Sequence, residues 1–228
     1  MSAFVFPAPD FPSVAVRGGG RYPVRRIFCV GRNYAEHARE MGGNDREPPF
    51  FFTKATDSLA PSGATIAYPP GTANLHHEME LVLALGADAF EIEAADARDA
   101  IWGYACGLDM TRRDLQNASR EKKQPWDLGK SFEESAVLSE IAPASAIGHP
   151  RAGAITLAVN FVEKQRGDLS DMIWSPEEIV AALSRFYHLR AGDLIFTGTP
   201  SGVGPVVRGD ALAGAVAGVG DLAVTYGT

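Results

Sequence analysis

The sequence predicts one α+β domain dominated by β structure, and three observations predict it. Glycine and proline, 24 and 15 of 228 residues, make up about one residue in six, too many breakers for a helix bundle. The apolar runs are short and bounded by turn residues, as strands are. Only one segment, Ser175–His188, carries a full set of helix signals. With 46% hydrophobic and 21% charged residues the chain has ample surface for a core, so disorder is excluded as its main state.

The elements follow in order. Residues 1–24 read as a Pro- and Gly-rich arm ending in GGGRYP, laid over the body or over a partner subunit, with a single domain spanning 25–228. Arg26–Val30 reads as a strand. Asn33, with Glu36 three residues on, has the pattern of a capping box and opens a short helix to Met41, stopped by Gly42 and Gly43. That helix is polar on most sides, which predicts a lid held by little packing. Pro49–Lys54 and Thr65–Tyr68 are strand-like. Glu78–Gly86 alternates only at its start and then becomes continuously apolar, which predicts a strand buried on both faces. Residues 95–102 read as helical, Tyr104–Met110 as a strand, Thr111–Lys122 as a helix and Ala154–Phe161 as a strand. In Ser175–His188 the N-cap serine, Pro176 in the first position and Glu178 in the third mark the start, and Gly192 lies beyond the end. Asp193–Gly198 is a strand, the glycine-rich turn TPSGVGP follows, and short strands over 208–226 complete a sheet. No repeat or interdomain linker interrupts this order.

Charge narrows the function classes. A net charge of −7 argues against holding nucleic acid or an anionic membrane by electrostatics. The opening residues lack a basic region and are broken by Pro7, Pro9 and Pro12, so they do not read as a signal peptide, and a cytosolic protein is expected. Cys29 and Cys106 sit in apolar runs and read as buried small hydrophobes in a reducing compartment.

Glu78 and Glu80 are the strongest local anomaly. Alternation along a strand points both carboxylates the same way, among Met79, Leu81, Val82 and Leu83. Two ionised carboxylates in such a place need a positive partner, because burying an unpaired ion costs several kcal/mol. Asp109, at the end of another apolar strand, adds a third carboxylate, although a helix N-cap is its plainer reading. An all-oxygen set suits Mg²⁺ or Mn²⁺. His76 shares the parity of the two glutamates, which leaves open a softer metal with one imidazole ligand. His37 and Glu40, three apart, share a face of the expected lid helix. A carboxylate beside an imidazole is the arrangement of a general base acting on water, and a surface i,i+3 pair is the plainer alternative. Lys130 keeps unusually apolar company in WDLGKSF. The loop TGTPSGVGP lacks the GK[ST] ending of a phosphate loop, but its backbone N–H groups and the Thr199 hydroxyl form a cradle for a carboxylate.

Taken together, GRNYAEHARE, LHHEMEL, GLDMTRRDLQ, LGKSF and TGTPSGVGP, in that order, resemble the fumarylacetoacetate hydrolase family and its short acylpyruvate-hydrolysing branch. The resemblance runs from Arg26 to the C-terminus. It implies the family's mixed β-sandwich roll, a homodimer, and Mg²⁺ or Mn²⁺ held by Glu78, Glu80 and Asp109. It also implies a water-activating His37 and Glu40, a catalytic Lys130, and substrate contacts from Arg113, Gln116 and Thr199. The activity it implies is hydrolysis of the C–C bond of a 3-acylpyruvate, fumarylpyruvate above the others, as in gentisate-type degradation of aromatic compounds. Oxaloacetate decarboxylation or cleavage of smaller acylpyruvates uses the same enolate chemistry, and isomerisation of dienoic diacids is a further alternative. A non-catalytic metal-stabilised binding protein would need neither His37, Glu40 nor Lys130. A distal substrate carboxylate, if there is one, calls for a further cation, with Arg32 and Arg112 as candidates.

Overall fold

The structure, a computed structural model, describes residues 4–34 and 47–227; His37, Glu40 and the rest of the expected lid helix after Tyr34 lie outside them. The centre is a mixed eight-stranded sheet. Its main path runs Phe50–Lys54, Arg26–Gly31, Asp193–Phe196, Met79–Leu85, Ile101–Asp109, Ala136–Leu138, Leu59–Pro61, with Ala142–Pro143 paired to Ile101–Asp109 off that path. A five-stranded sheet, in the order Val162–Asp168, Ala154–Val159, Ala211–Val216, Gly220–Tyr226, Thr65–Ile66, stacks on it.

Alternation explains the layering. Leu81, Leu83 and Leu85 face the five-stranded sheet and pack with Leu157, Leu212 and Val224, whereas Val82 and Ala84 face the other way, toward Ile27, Ala105 and Phe196. The expectation of a strand buried on both faces holds for Met79–Leu85, every residue of which is buried. The second core is closed by a hairpin within residues 1–24, the segment expected to lie over the body or a partner. Ser13–Ala15 pairs with Arg21–Pro23, and Val14, Tyr22 and Val24 are buried in that core.

Helices are few. Pro176–Ser184 begins with the expected capping box, Ser175 accepting from the Glu178 N–H at 3.3 Å, and ends earlier than expected. The helix expected from Thr111 starts at Arg113, because Thr111–Arg112 pairs with Leu75–His77 as a strand. Residues 97–100 make only a short 3₁₀ turn. The Asn33 side chain is engaged among the described residues: its amide nitrogen donates to the Thr197 and Trp174 carbonyls at 2.8 and 3.0 Å, and its oxygen accepts from the Trp174 N–H at 2.8 Å. It clamps the end of the strand Arg26–Gly31 to two loops. No helix among the described residues is long and apolar enough to cross a membrane.

Candidate metal centre and substrate cleft

The site forms where two strands of the central sheet run out of apolar residues on one face. Glu80 follows the parity of Val82 and Ala84, and Asp109 that of Ala105, so both carboxylates extend the face that lower down is the second core. Glu78 lies between Leu75–His77, which belongs to a separate three-stranded sheet, and Met79–Leu85, and its carbonyl accepts from the Asp109 N–H at 2.9 Å. Oxygen atoms of Glu78, Glu80 and Asp109 lie within 4.8 Å of one another, and all three residues are buried.

The cations around them come from elements distant in sequence. Lys130, at the end of the short helix Asp127–Lys130, donates to Asp109 Oδ2 at 2.6 Å, Thr111 Oγ1 at 2.7 Å and Glu78 Oε2 at 2.8 Å. It is 2% exposed, as its apolar company in the sequence suggests. Burial acts to lower its pKa, and the charges of Asp109 and Glu78 more than offset that, so it stays protonated. Arg113 opens the helix Arg113–Glu121, pairs with the other oxygen of Glu78 and donates to Gln116 Oε1 at 2.6 Å. Burial, and then the neighbouring Asp109 and Glu78 charges, hold the Glu80 carboxyl well above its usual range.

Two residues that sequence reasoning passed over complete the support. Lys54, wholly buried at the end of the strand Phe50–Lys54, lies 2.9 Å from Asp109 Oδ1. Its hydrogens are directed instead at the Ser135 hydroxyl at 3.0 Å, the Met110 carbonyl at 3.2 Å and the Lys130 carbonyl. Gln165, buried in an otherwise polar edge strand, accepts from the Met79 N–H and His77 Nδ1, both at 3.0 Å, and donates to Thr199 Oγ1 at 2.8 Å and the Pro200 carbonyl at 2.9 Å. It joins the break between sheets to the TGTP loop.

That loop holds a carboxylate, but the carboxylate is the protein's own: the Gly198 N–H donates to Glu80 Oε2 at 2.7 Å. Gly198 has φ +98°, and a Cβ there would stand 2.7 Å from that of Asn33, so only glycine brings this N–H to Glu80. Thr199 Oγ accepts from Gln165, which leaves its proton for a ligand. Thr199, Arg113, Gln116, Glu78, Glu80 and Lys130 line one cleft, with Arg32, Phe50, Phe52 and Trp126 as its other wall. An aromatic hollow of about 440 Å³, lined by Phe28, Phe51 and Tyr187 and sharing Phe50, Phe52, Trp126 and Lys130, adjoins it.

A divalent cation fits this donor set. It is all oxygen and buried, and Asp109 Oδ1 is a buried acceptor that no hydrogen bond satisfies among the described residues. The softer-metal alternative fails at His76. The parity argument assumed one unbroken strand, but the chain changes sheet at Glu78; His76 Nε2 bonds Asn74 Oδ1 at 3.0 Å, and no imidazole joins the carboxylate group among the described residues. Burial and the Arg113 charge lower His76 to about 4.

Residues 26–226 match the model of the fumarylacetoacetate hydrolase C-terminal domain. A fumarylpyruvate hydrolase of a Ralstonia species is 51% identical over 181 residues, covering 79% of this chain and 94% of that protein. An oxaloacetate tautomerase of Escherichia coli K12 is 40% identical over 192 residues, 84% of this chain and 88% of that one. The crystal structure of fumarylpyruvate hydrolase from Pseudomonas aeruginosa in complex with Mn²⁺ and pyruvate superposes with a TM-score of 0.95 at 50% identity, covering 99% of each chain.

Proposed function

The chain belongs to the fumarylacetoacetate hydrolase family, and from that premise we propose that it hydrolyses fumarylpyruvate, a 3-acylpyruvate, to fumarate and pyruvate. The observation that carries this reading is the buried Glu78–Glu80–Asp109 set sharing a cleft with Lys130, Arg113, Gln116 and Thr199, in a chain half identical to fumarylpyruvate hydrolases. Glu78, Glu80 and Asp109 would hold Mg²⁺ or Mn²⁺. When bound, the cation supplies Lewis-acid polarisation of a chelated dioxo acid and stabilises negative charge on its oxygens, roles worth several kcal/mol of barrier.

The protein's own groups do the rest. Arg113 and Gln116 orient the pyruvoyl end, and the Thr199 proton donates to its carboxylate. Lys130 has its three hydrogens directed at Glu78, Asp109 and Thr111, so it acts through its charge and by fixing the carboxylates. His37, with its imidazole oriented by Glu40, takes a proton from water as the water oxygen attacks C4. The C3–C4 bond then breaks, its electron pair leaves with pyruvate as the enolate, and a proton is returned to C3. The same reading makes the protein a cytoplasmic homodimer that acts in the degradation of aromatic compounds.

The test follows loss of the dioxo-acid absorbance with fumarylpyruvate, acetylpyruvate and oxaloacetate. Activity on fumarylpyruvate should vanish on chelation and return with Mg²⁺ or Mn²⁺, and His37→Ala should lower turnover by about 10² to 10⁴. Turnover of oxaloacetate alone, or full activity after exhaustive chelation, would refute the proposal.

A further inference from the structure

We infer that Arg32 recognises the second carboxylate of the substrate, at the far end of its acyl arm, an inference that rests on the acylpyruvate reading above. The other arginines near buried acids are paired: Arg25 and Arg26 with Asp193, Arg98 and Arg151 with Glu177, Arg113 with Glu78. Arg32 lines the same cleft as Glu78 and Thr199, yet its Nε is buried with no hydrogen-bond partner, and no carboxylate among the described residues pairs with its guanidinium. A partly buried cation with no counter-ion is unfavourable until an anion arrives. The backbone adds a second, independent observation. Arg32 has φ +60°, a conformation uncommon for a side chain with a Cβ, and such outliers gather at ligand sites.

The wall beside it suits a flat, conjugated chain. The guanidinium carbon is 5.9 Å from the centroid of the Phe50 ring, and Phe50 and Phe52 pack against Trp126 at 5.2 and 6.0 Å. Phe50 lies directly over Gly31, where a Cβ would fall 2.0 Å from its ring, so the glycine before Arg32 is what lets the aromatic wall reach it. The ligand this recognises is a dicarboxylate: a pyruvoyl end at Arg113, a planar unsaturated arm along Phe50, Phe52 and Trp126, and a terminal carboxylate at Arg32. Arg112, the other candidate from the sequence, does not fit. Its guanidinium lies 4.2 Å over the Phe132 ring, it donates to the Leu128 carbonyl at 3.4 Å, and it does not line the cleft.

The experiment compares kcat/KM for fumarylpyruvate and for acetylpyruvate, which lacks the second carboxylate, in saturating Mn²⁺. It uses the wild type, Arg32→Gln, Arg32→Lys and Arg112→Gln. The wild type should favour fumarylpyruvate by roughly tenfold to more than a hundredfold, the range of a charge-assisted bond. Arg32→Gln should remove that preference through KM and leave acetylpyruvate within about twofold of the wild type. Arg32→Lys, which keeps the charge without the fork, should restore part of it. Inhibition by fumarate should weaken in Arg32→Gln while inhibition by pyruvate stays. Equal losses on both substrates, no loss on either, or a preference that disappears in Arg112→Gln instead would overturn the assignment. So would a wild type with no preference, although the acylpyruvate reading would then stand; a wild type inactive on both substrates would refute that reading itself.

Discussion

Replacing Lys54 with methionine probes how the carboxylates are held. Lys54 and Asp109 have 0% and 1% side-chain exposure at a separation of 2.9 Å, and the same ammonium satisfies the Ser135 hydroxyl and two carbonyls. Methionine fills most of the volume and supplies no donor. Removing one partner of a buried ion pair costs about 3–5 kcal/mol, because the other charge loses compensation, and here Asp109 keeps only Lys130. Against a typical total of about 5–15 kcal/mol that is a large fraction. At about 2–4 °C per kcal/mol for a chain of this size, the melting temperature should fall by about 6–20 °C. The assay is urea unfolding followed by tryptophan fluorescence, with and without Mn²⁺. Because the buried negative charge of Asp109, deprived of Lys54, favours a divalent cation, Mn²⁺ should stabilise Lys54→Met more than it stabilises the wild type. Adding Asp109→Asn to Lys54→Met should cost less than the sum of the single changes. A loss below about 1 kcal/mol, or a gap that Mn²⁺ does not narrow, would refute the assignment of Lys54 as the counter-ion.

The remaining predictions concern other parts of the molecule. Lys130→Met should lower turnover by about 10² to 10³ while calorimetry still shows Mn²⁺ bound; near-normal turnover would remove Lys130 from the chemistry. Burial acts to raise the pKa of Glu177, but its backbone N–H, Arg151 and Arg98 together bring it below the ordinary value. A carboxyl lowered on folding contributes stability that is present above its unfolded pKa of 4.5 and lost as pH falls through the folded one, so Glu177→Gln should flatten the acid limb of urea midpoints measured from pH 7 to 3. With both arginines half exposed, the effect should be about 1 kcal/mol. Cys106, pushed up to about 12 by burial, and Cys29, also raised well above its ordinary value by burial, should resist iodoacetamide at pH 8 until the chain is unfolded, and rapid alkylation of the native protein would contradict that.

What the sequence disclosed and what it hid have a common physical cause. Glu78, Glu80 and Asp109 stood out because a carboxylate inside an apolar strand violates the local pattern, and the same holds for Lys130 among Trp126, Leu128 and Phe132. Lys54 violates nothing locally: a lysine at a strand end reads as solvated, and only the pairing of Phe50–Lys54 with Arg26–Gly31 carries it to Asp109. Gln165 lies in VEKQRGD, a polar run typical of an exposed edge strand, and its burial follows from its register opposite Leu157. His76 stayed open as an alternative ligand because parity counts residues but not sheets. The hairpin of residues 13–23 was missed because its buried positions, Val14 and Tyr22, are few and lie among prolines and glycines. Short-range pattern finds a group that is out of place where it stands; a partner set by strand order stays hidden until the strands are ordered.

Counted fully ionised, as a bound cation would require, Glu78, Glu80 and Asp109 are equalled in number, among the described residues, by Lys54, Lys130 and Arg113, so the formal charges of this group cancel. A site balanced in this way does not need a cation in order to fold. A divalent ion that enters brings two charges in excess, and these are neutralised most directly by a doubly negative ligand arriving in the same cleft. Cation and dicarboxylate therefore assist each other, and linkage requires the factor to be equal in both directions. The protein should release its metal easily when stored without substrate and retain it in the presence of a 2-oxo acid. Preparations that differ only in that respect would differ in metal content without differing in sequence or fold.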